Sequence, residues 1–243
     1  MGILDFIKIE TVLFLDIETA PQWYKLHDAP ENVRHEWIYK FKFRPEAPPE
    51  SEHCDIYENY FAELWEREAG LHAEFSRIVC ISVGFMFKGD FYMKSYYDVS
   101  EGDLLRKFNE DLASFTSMNP QGKVCAHYGK LFDFPFIGKR MIINRIKIPL
   151  ILDTAHLKPW EVPNIDTWEI WKAGLPAICM ALGLETPKDD LNGSKVSWCF
   201  HIEKDLKRIA VYCEKDVFAL LNVFKCIRLE EPLKIEQIVN RNE

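Results

Sequence analysis

No stretch of this sequence approaches the roughly 20 uncharged apolar residues that a membrane span requires. The first apolar run, Val12-Leu13-Phe14-Leu15, is broken by Asp16 and Glu18, so it reads neither as a span nor as a signal-peptide core. The opening Met1-Gly2-Ile3-Leu4-Asp5-Phe6 lacks the Ser or Thr of a myristoylation signal, and a cytoplasmic protein is expected. Cys54, Cys80, Cys125, Cys179, Cys199, Cys213 and Cys226 are scattered, with no CxxC pair. That spacing suits reduced core thiols and argues against structural zinc; His53-Cys54 has no second pair to complete a site. Phosphate-loop (GxxxxGKS/T), GxSxG and HExxH signatures are all missing, which excludes the enzymes built on them.

Basic side chains are in the minority, 30 against 38 acidic, for a net charge of −8. This disfavours a tight grip on a nucleic-acid duplex. The excess is concentrated, however, since residues 21–75 hold 12 acidic and 6 basic side chains. An acidic centre that binds cations would also reverse its own local field, so weak, end-directed engagement of nucleic acid stays compatible.

What is present has the pattern of an α/β protein. Thr11 to Ile17 reads as a buried strand and Arg77–Phe87 as a second. Lys88-Gly89-Asp90 turns the chain into a third at Phe91–Tyr97. Lys123–Ala126 and Pro149–Asp153 complete an expected mixed five-stranded sheet. Helices are predicted over Glu101–Ser117 with Ser100 as N-cap, Phe134–Ile146, Leu175–Leu182 and about Glu203–Ile227. Residues 21–75 read as an acidic insertion after the first strand, helical around Glu31–Lys42 and Ile56–Glu68. Its Trp37, Tyr60, Phe61 and Trp65 are expected to dock it on a single domain spanning residues 1–243.

Three separate segments present carboxylates. Asp16 and Glu18 stand two apart on a strand and so share a face, at the strand end where α/β sheets usually place their sites. Two such acids repel unless a cation neutralises them. Asp133 precedes a helix, where an Asp taken alone is more often an N-cap. Tyr212 and Asp216 are i and i+4 on the long C-terminal helix, hence on one face. Lys139, Arg140, Arg145 and Lys147 form a modest basic cluster that suits phosphates or a solvated face, and Cys213 reads as a core thiol.

In this order the pieces resemble the DEDD superfamily of exonucleases, of ribonuclease H-like fold, and specifically its tyrosine-bearing DEDDy branch. The chain is similar to stand-alone bacterial exonucleases related to the proofreading domain of family B DNA polymerases. Asp16-Ile17-Glu18-Thr19 matches the first motif, Phe132-Asp133 the end of the second, and Tyr212-x-x-x-Asp216 the third. Ala73–Ser82, Lys158-Pro159-Trp160-Glu161 and Pro187-Lys188-Asp189-Asp190 also look like segments of that group. The histidine branch has its base five residues before the last Asp, where this chain has Val211. The second motif usually has Asn five residues before its Asp, and this chain has Tyr128.

The resemblance implies 3′–5′ hydrolysis of terminal phosphodiester bonds in single-stranded DNA by a two-metal mechanism with Mg²⁺ or Mn²⁺. Asp16 would bridge the two ions, Glu18 and Asp216 would complete one site, and Asp133 would hold the second. Tyr212 would orient the attacking water. Thr19, Phe132 and Lys188 are the expected contacts to the strand: Thr19 through its backbone, Phe132 by stacking, Lys188 on phosphate. An exoribonuclease of the same chemistry acting on RNA 3′ ends is the alternative, as is a non-catalytic nucleic-acid-binding protein that keeps the fold.

Overall fold

The computed structural model describes residues 3–49, 54–154, 156–186 and 191–240. Six strands occur in the order β1 (Val12–Pro21), β2 (Ser76–Phe87), β3 (Asp90–Tyr96), β4 (Lys123–Ala126), β5 (Ile165–Asp166) and β6 (Ile238–Asn240). They form one mixed sheet ordered β5-β4-β1-β2-β3-β6. The β1–β2–β3 meander is antiparallel, whereas β4, β5 and β6 join it in parallel pairs. The helices are α1 (Glu31–Phe41), α2 (Cys54–Glu68), α3 (Glu101–Met118), α4 (Asp133–Ile143), α5 (Thr167–Ile170), α6 (Leu175–Leu182), α7 (Gly193–Trp198) and α8 (Leu206–Ile227).

Period-two alternation along β1 divides the interior. Leu13, Leu15 and Ile17 point to the face covered by α3 and α4, among Leu104, Leu105, Phe108, Phe134 and Ile137. Val12 and Phe14 point to the other face, against Ile178 of α6 and Val217, Leu220 and Phe224 of α8. Asp16 and Glu18 continue the Val12–Phe14 row, and Ala20 beyond them packs with Ile209, Ala210 and Cys213 of α8. The acids are therefore aimed at α8 by the same alternation that builds the core.

Several boundaries differ from expectation. Among the described residues the sheet has six strands, not five, and Pro149–Asp153 is no strand: Leu150–Leu152 is a single 3-10 turn. Pro149 cannot donate to a ladder, and Leu150 is exposed. Asn164 fills the gap, accepting from Val124 N (3.1 Å) and donating to Ile151 O (2.7 Å), which brings Ile165–Asp166 into line beside β4. β1 also runs on past Ile17 to Pro21 because β2 pairs with it throughout, with one bulge at Glu18/Thr19. The acids thus sit in mid-strand, but beyond Phe14, the last β1 residue paired with β4, so that side of the strand is open.

The aromatics of the insertion close a small core of their own. Trp37, Phe61 and Trp65 are fully buried together with Leu26, Phe41 and Phe75, and Trp37 Nε1 donates to Phe61 O at 3.0 Å. The insertion is fastened to β1 where Thr19 Oγ1 donates to Gly70 O at 2.7 Å. Cys80, Cys125, Cys179, Cys199, Cys213 and Cys226 are free thiols. No helix among the described residues is long and apolar enough to cross a membrane.

Candidate active site

Five side chains from three distant segments meet at the open side of β1. Asp16 and Glu18 come from the strand itself. Their ligand oxygens and the Cys213 sulfur lie within 4.8 Å of one another. Asp133 is the first residue of α4 rather than its cap, which is Phe132. On α8, Tyr212 and Asp216 stand one turn apart, and the Tyr212 hydroxyl draws the Asp216 carboxyl down. That helix starts at Leu206, capped by Asp205, whose carboxylate accepts from Arg208 N at 3.0 Å. Its inward stripe of Ile209, Cys213, Val217, Leu220 and Phe224 turns Asp216 toward the sheet.

The carboxylates destabilise one another as anions. Burial, then the charges of Asp216, Glu18 and Asp133, raise the Asp16 carboxyl well above its usual range. Burial and Asp216 do the same to Glu18, which is only 8% exposed. Asp133, 4% exposed, is pushed up to about 7, chiefly by burial, although backbone N–H groups of Asp133 and Ile17 hydrogen-bond to it and pull the other way. Burial also pushes Asp216 up to about 7, against the Tyr212 hydrogen bond. Burial and then Asp216, Glu18 and Asp16 raise the Tyr212 phenol, which stays protonated. Burial is thus the first influence on all four acids, and neighbouring carboxylates raise Asp16, Glu18 and Asp133 further, the condition in which bound cations replace protons.

Oxygen ligands of this kind fit hard divalent ions such as Mg²⁺ or Mn²⁺. Cys213 is the component that sequence reading missed. Its thiol donates to Asp16 Oδ2 (3.3 Å) and Asp16 O (3.4 Å), and burial raises it, so it orients that carboxylate as a neutral donor. Its position next to Tyr212 was the available signal, but only the seating of α8 on β1 reveals the contact.

The other expected contacts are distributed differently. Thr19 lies on β1 with its hydroxyl committed to Gly70, leaving only its backbone for a strand. Phe132 is half-buried, tilted against Phe136 at 5.2 Å. Lys188 lies outside the described residues. Arg140 does not belong to a phosphate-binding cluster: it is buried, donating to both oxygens of Glu101 and to Ala73 O. Lys139, Arg145 and Lys147 are exposed.

Comparison with known proteins agrees with the architecture. No curated protein matches the sequence. In the family B DNA polymerase from the hyperthermophilic archaeon Pyrobaculum calidifontis, a similar fold covers 90% of this chain at a TM-score of 0.51 and 13% identity. The match takes up 24% of that polymerase, so this chain spans about a quarter of its length. The RNase_H superfamily matches residues 66–228, from the end of α2 through α8 and so across the Asp133 and Tyr212–Asp216 segments. With most of its length matched, and with a mixed sheet flanked by helices, the chain belongs to the RNase_H superfamily.

Proposed function

We propose that this protein is a metal-dependent 3′–5′ exonuclease of the DEDDy type that shortens single-stranded DNA. The observation that carries the reading is the convergence of Asp16, Glu18, Asp133 and Asp216, each buried or half-buried and each with its carboxyl raised, beside a tyrosine one turn from the last of them. Such a cluster is costly without cations and has no evident structural use. The ordered motifs and the fold shared with part of a family B DNA polymerase support DNA as the substrate.

Asp16, Glu18 and Asp216 would hold one divalent ion, with Asp16 shared and Asp133 serving a second. Bound there, the ions would supply charge neutralisation and acidify a water for attack on the terminal phosphodiester. The chain's own groups prepare this arrangement. Cys213 fixes the Asp16 carboxylate from behind. Tyr212, protonated, fixes Asp216 and offers its oxygen to orient the water. Neither group is a base at neutral pH.

The test is degradation of 5′-labelled single-stranded DNA and RNA with Mn²⁺, Mg²⁺ or EDTA, beside Asp16→Ala. A ladder that shortens from the 3′ end with metal, runs faster on DNA, and disappears in the variant is the expected result. Cleavage that survives EDTA or Asp16→Ala would overturn the metal assignment. Faster loss of RNA would overturn the choice of sugar.

A further inference from the structure

Tyr128 is placed at an energetic cost. Its φ is +68°, in the left-handed region that a bulky side chain rarely enters, yet the ring is 42% exposed and forms no core contact that would reward the strain. Gly129 beside it is required, because a Cβ there would fall 2.3 Å from that of Ala126. The partner of the ring is Trp168, at 5.2 Å between centroids and 76° between planes. Trp168 also meets His127 at 5.7 Å and 72°, so the ring surface left for a further planar group is chiefly that of the exposed Tyr128.

One buried carboxylate holds both aromatics. Asp166, only 3% exposed, accepts from Tyr128 N at 2.8 Å, Lys130 N at 3.0 Å and Trp168 N at 2.9 Å. The loop from β4 to α4 and the start of α5 are therefore clamped together. His127 reinforces the clamp, bonded to Thr167 Oγ1 and Ala173 O. The Tyr128 loop runs straight into α4, with Phe132 N donating to Tyr128 O at 3.0 Å and Phe134 N to Gly129 O at 2.9 Å, so the platform adjoins Asp133 at the start of that helix. The two loops also expose Leu131, Ile170 and Trp171.

We infer that Tyr128 and Trp168 form a rigid stacking platform for bases of a single strand whose 3′ end lies at the carboxylates. The inference rests on the exonuclease reading. Stacking on an aromatic face is tolerant of base identity and needs an unpaired strand, so the platform selects single-stranded over duplex ends without reading sequence.

The experiment is anisotropy of a 5′-fluorescein single-stranded DNA octamer bound to the full chain, with Ca²⁺ replacing the catalytic ion. Matched octamers carry one abasic residue at the first, second, third or fourth position from the 3′ end. The parent protein should bind one or two of the abasic strands about tenfold more weakly than the intact strand. Tyr128→Phe should keep that discrimination. Tyr128→Gly, whose backbone favours φ near +68°, should bind the intact strand about tenfold more weakly and respond no further to those abasic sites. Trp168→Ala should behave as Tyr128→Gly does. If Tyr128→Gly discriminates among the strands as the parent does, the platform is overturned while the exonuclease reading stands. If the parent neither binds nor shortens any strand, that reading fails, and the platform with it.

Discussion

The hydroxyl of Tyr212 faces three carboxylates, and each of them, together with burial, opposes its ionisation. In the proposed reaction it is therefore a donor that fixes Asp216 and a water, not a proton acceptor. Tyr212→Phe removes the hydroxyl while keeping the ring against the α8 start and β2. Turnover should fall by about 10²-fold, the scale of a misplaced reactant, with Mn²⁺ affinity by titration calorimetry nearly unchanged. Loss of Mn²⁺ binding would make Tyr212 a determinant of the metal site instead. These pairings were partly legible in the sequence. Asp16 and Glu18 follow from strand alternation, and Tyr212 with Asp216 from helical spacing. Asp133 was legible only as the end of a recognised motif, since an Asp before a helix reads locally as a cap. Cys213 was legible only as a neighbour of Tyr212, because a thiol has no local mark of what it will touch across 197 positions.

At the scale of elements, α4 carries Asp133 at its first residue and is held by Arg140 two turns on. Arg140 donates to Glu101 Oε1 at 2.8 Å and Oε2 at 2.5 Å, and to Ala73 O at 2.7 Å. Glu101 also accepts from Ile78 N at 2.7 Å and from Asn144 Nδ2 at 2.9 Å, so one buried acid ties α3, α4 and the start of β2. Arg140→Ala leaves that acid buried without its cation and should cost about 3–5 kcal/mol in urea unfolding. A loss below about 1 kcal/mol would mean that Glu101 is satisfied by its other donors. The network also shows which part of the fold the sequence withheld. The long periodic helices α3 and α8 and the hairpin at Lys88-Gly89 were readable because neighbours in the chain decide them. Arg140 read as a surface charge because its partners stand 39 and 67 positions away. β5 and β6 are two and three residues long, too short for a pattern, and exist only because β4 and β3 offer edges to pair with.

For the whole molecule, the four acids make stability depend on pH and metal together. Folded Asp133 and Asp216 titrate near 7 instead of the ordinary 3.8, and Asp16 and Glu18 shift the same way. The folded protein therefore binds protons that the unfolded chain has released. The contribution of Asp133 and Asp216 is complete below pH 3.8 and is lost as pH rises through 7. Two other groups act in the opposite sense, but in other windows. Glu68 is lowered from 4.5 to about 2 by Arg44, and what it adds is already complete above pH 4.5. His72, His127 and His201 are held below 6.5 by burial, so the penalty they impose at low pH is gone above 6.5 and they add no slope there. Between pH 6.5 and 8.5 the carboxylates should dominate. In EDTA the melting temperature should fall across that interval, and saturating Mg²⁺ or Mn²⁺ should flatten the fall, since bound cations replace the lost protons. Asp16→Ala in EDTA at pH 8.5 should melt above the parent, because it removes one of the crowded charges. A flat profile in EDTA, together with a variant that melts below the parent, would show that the cluster is accommodated without cations. The fit to a metal centre would then lose its physical basis.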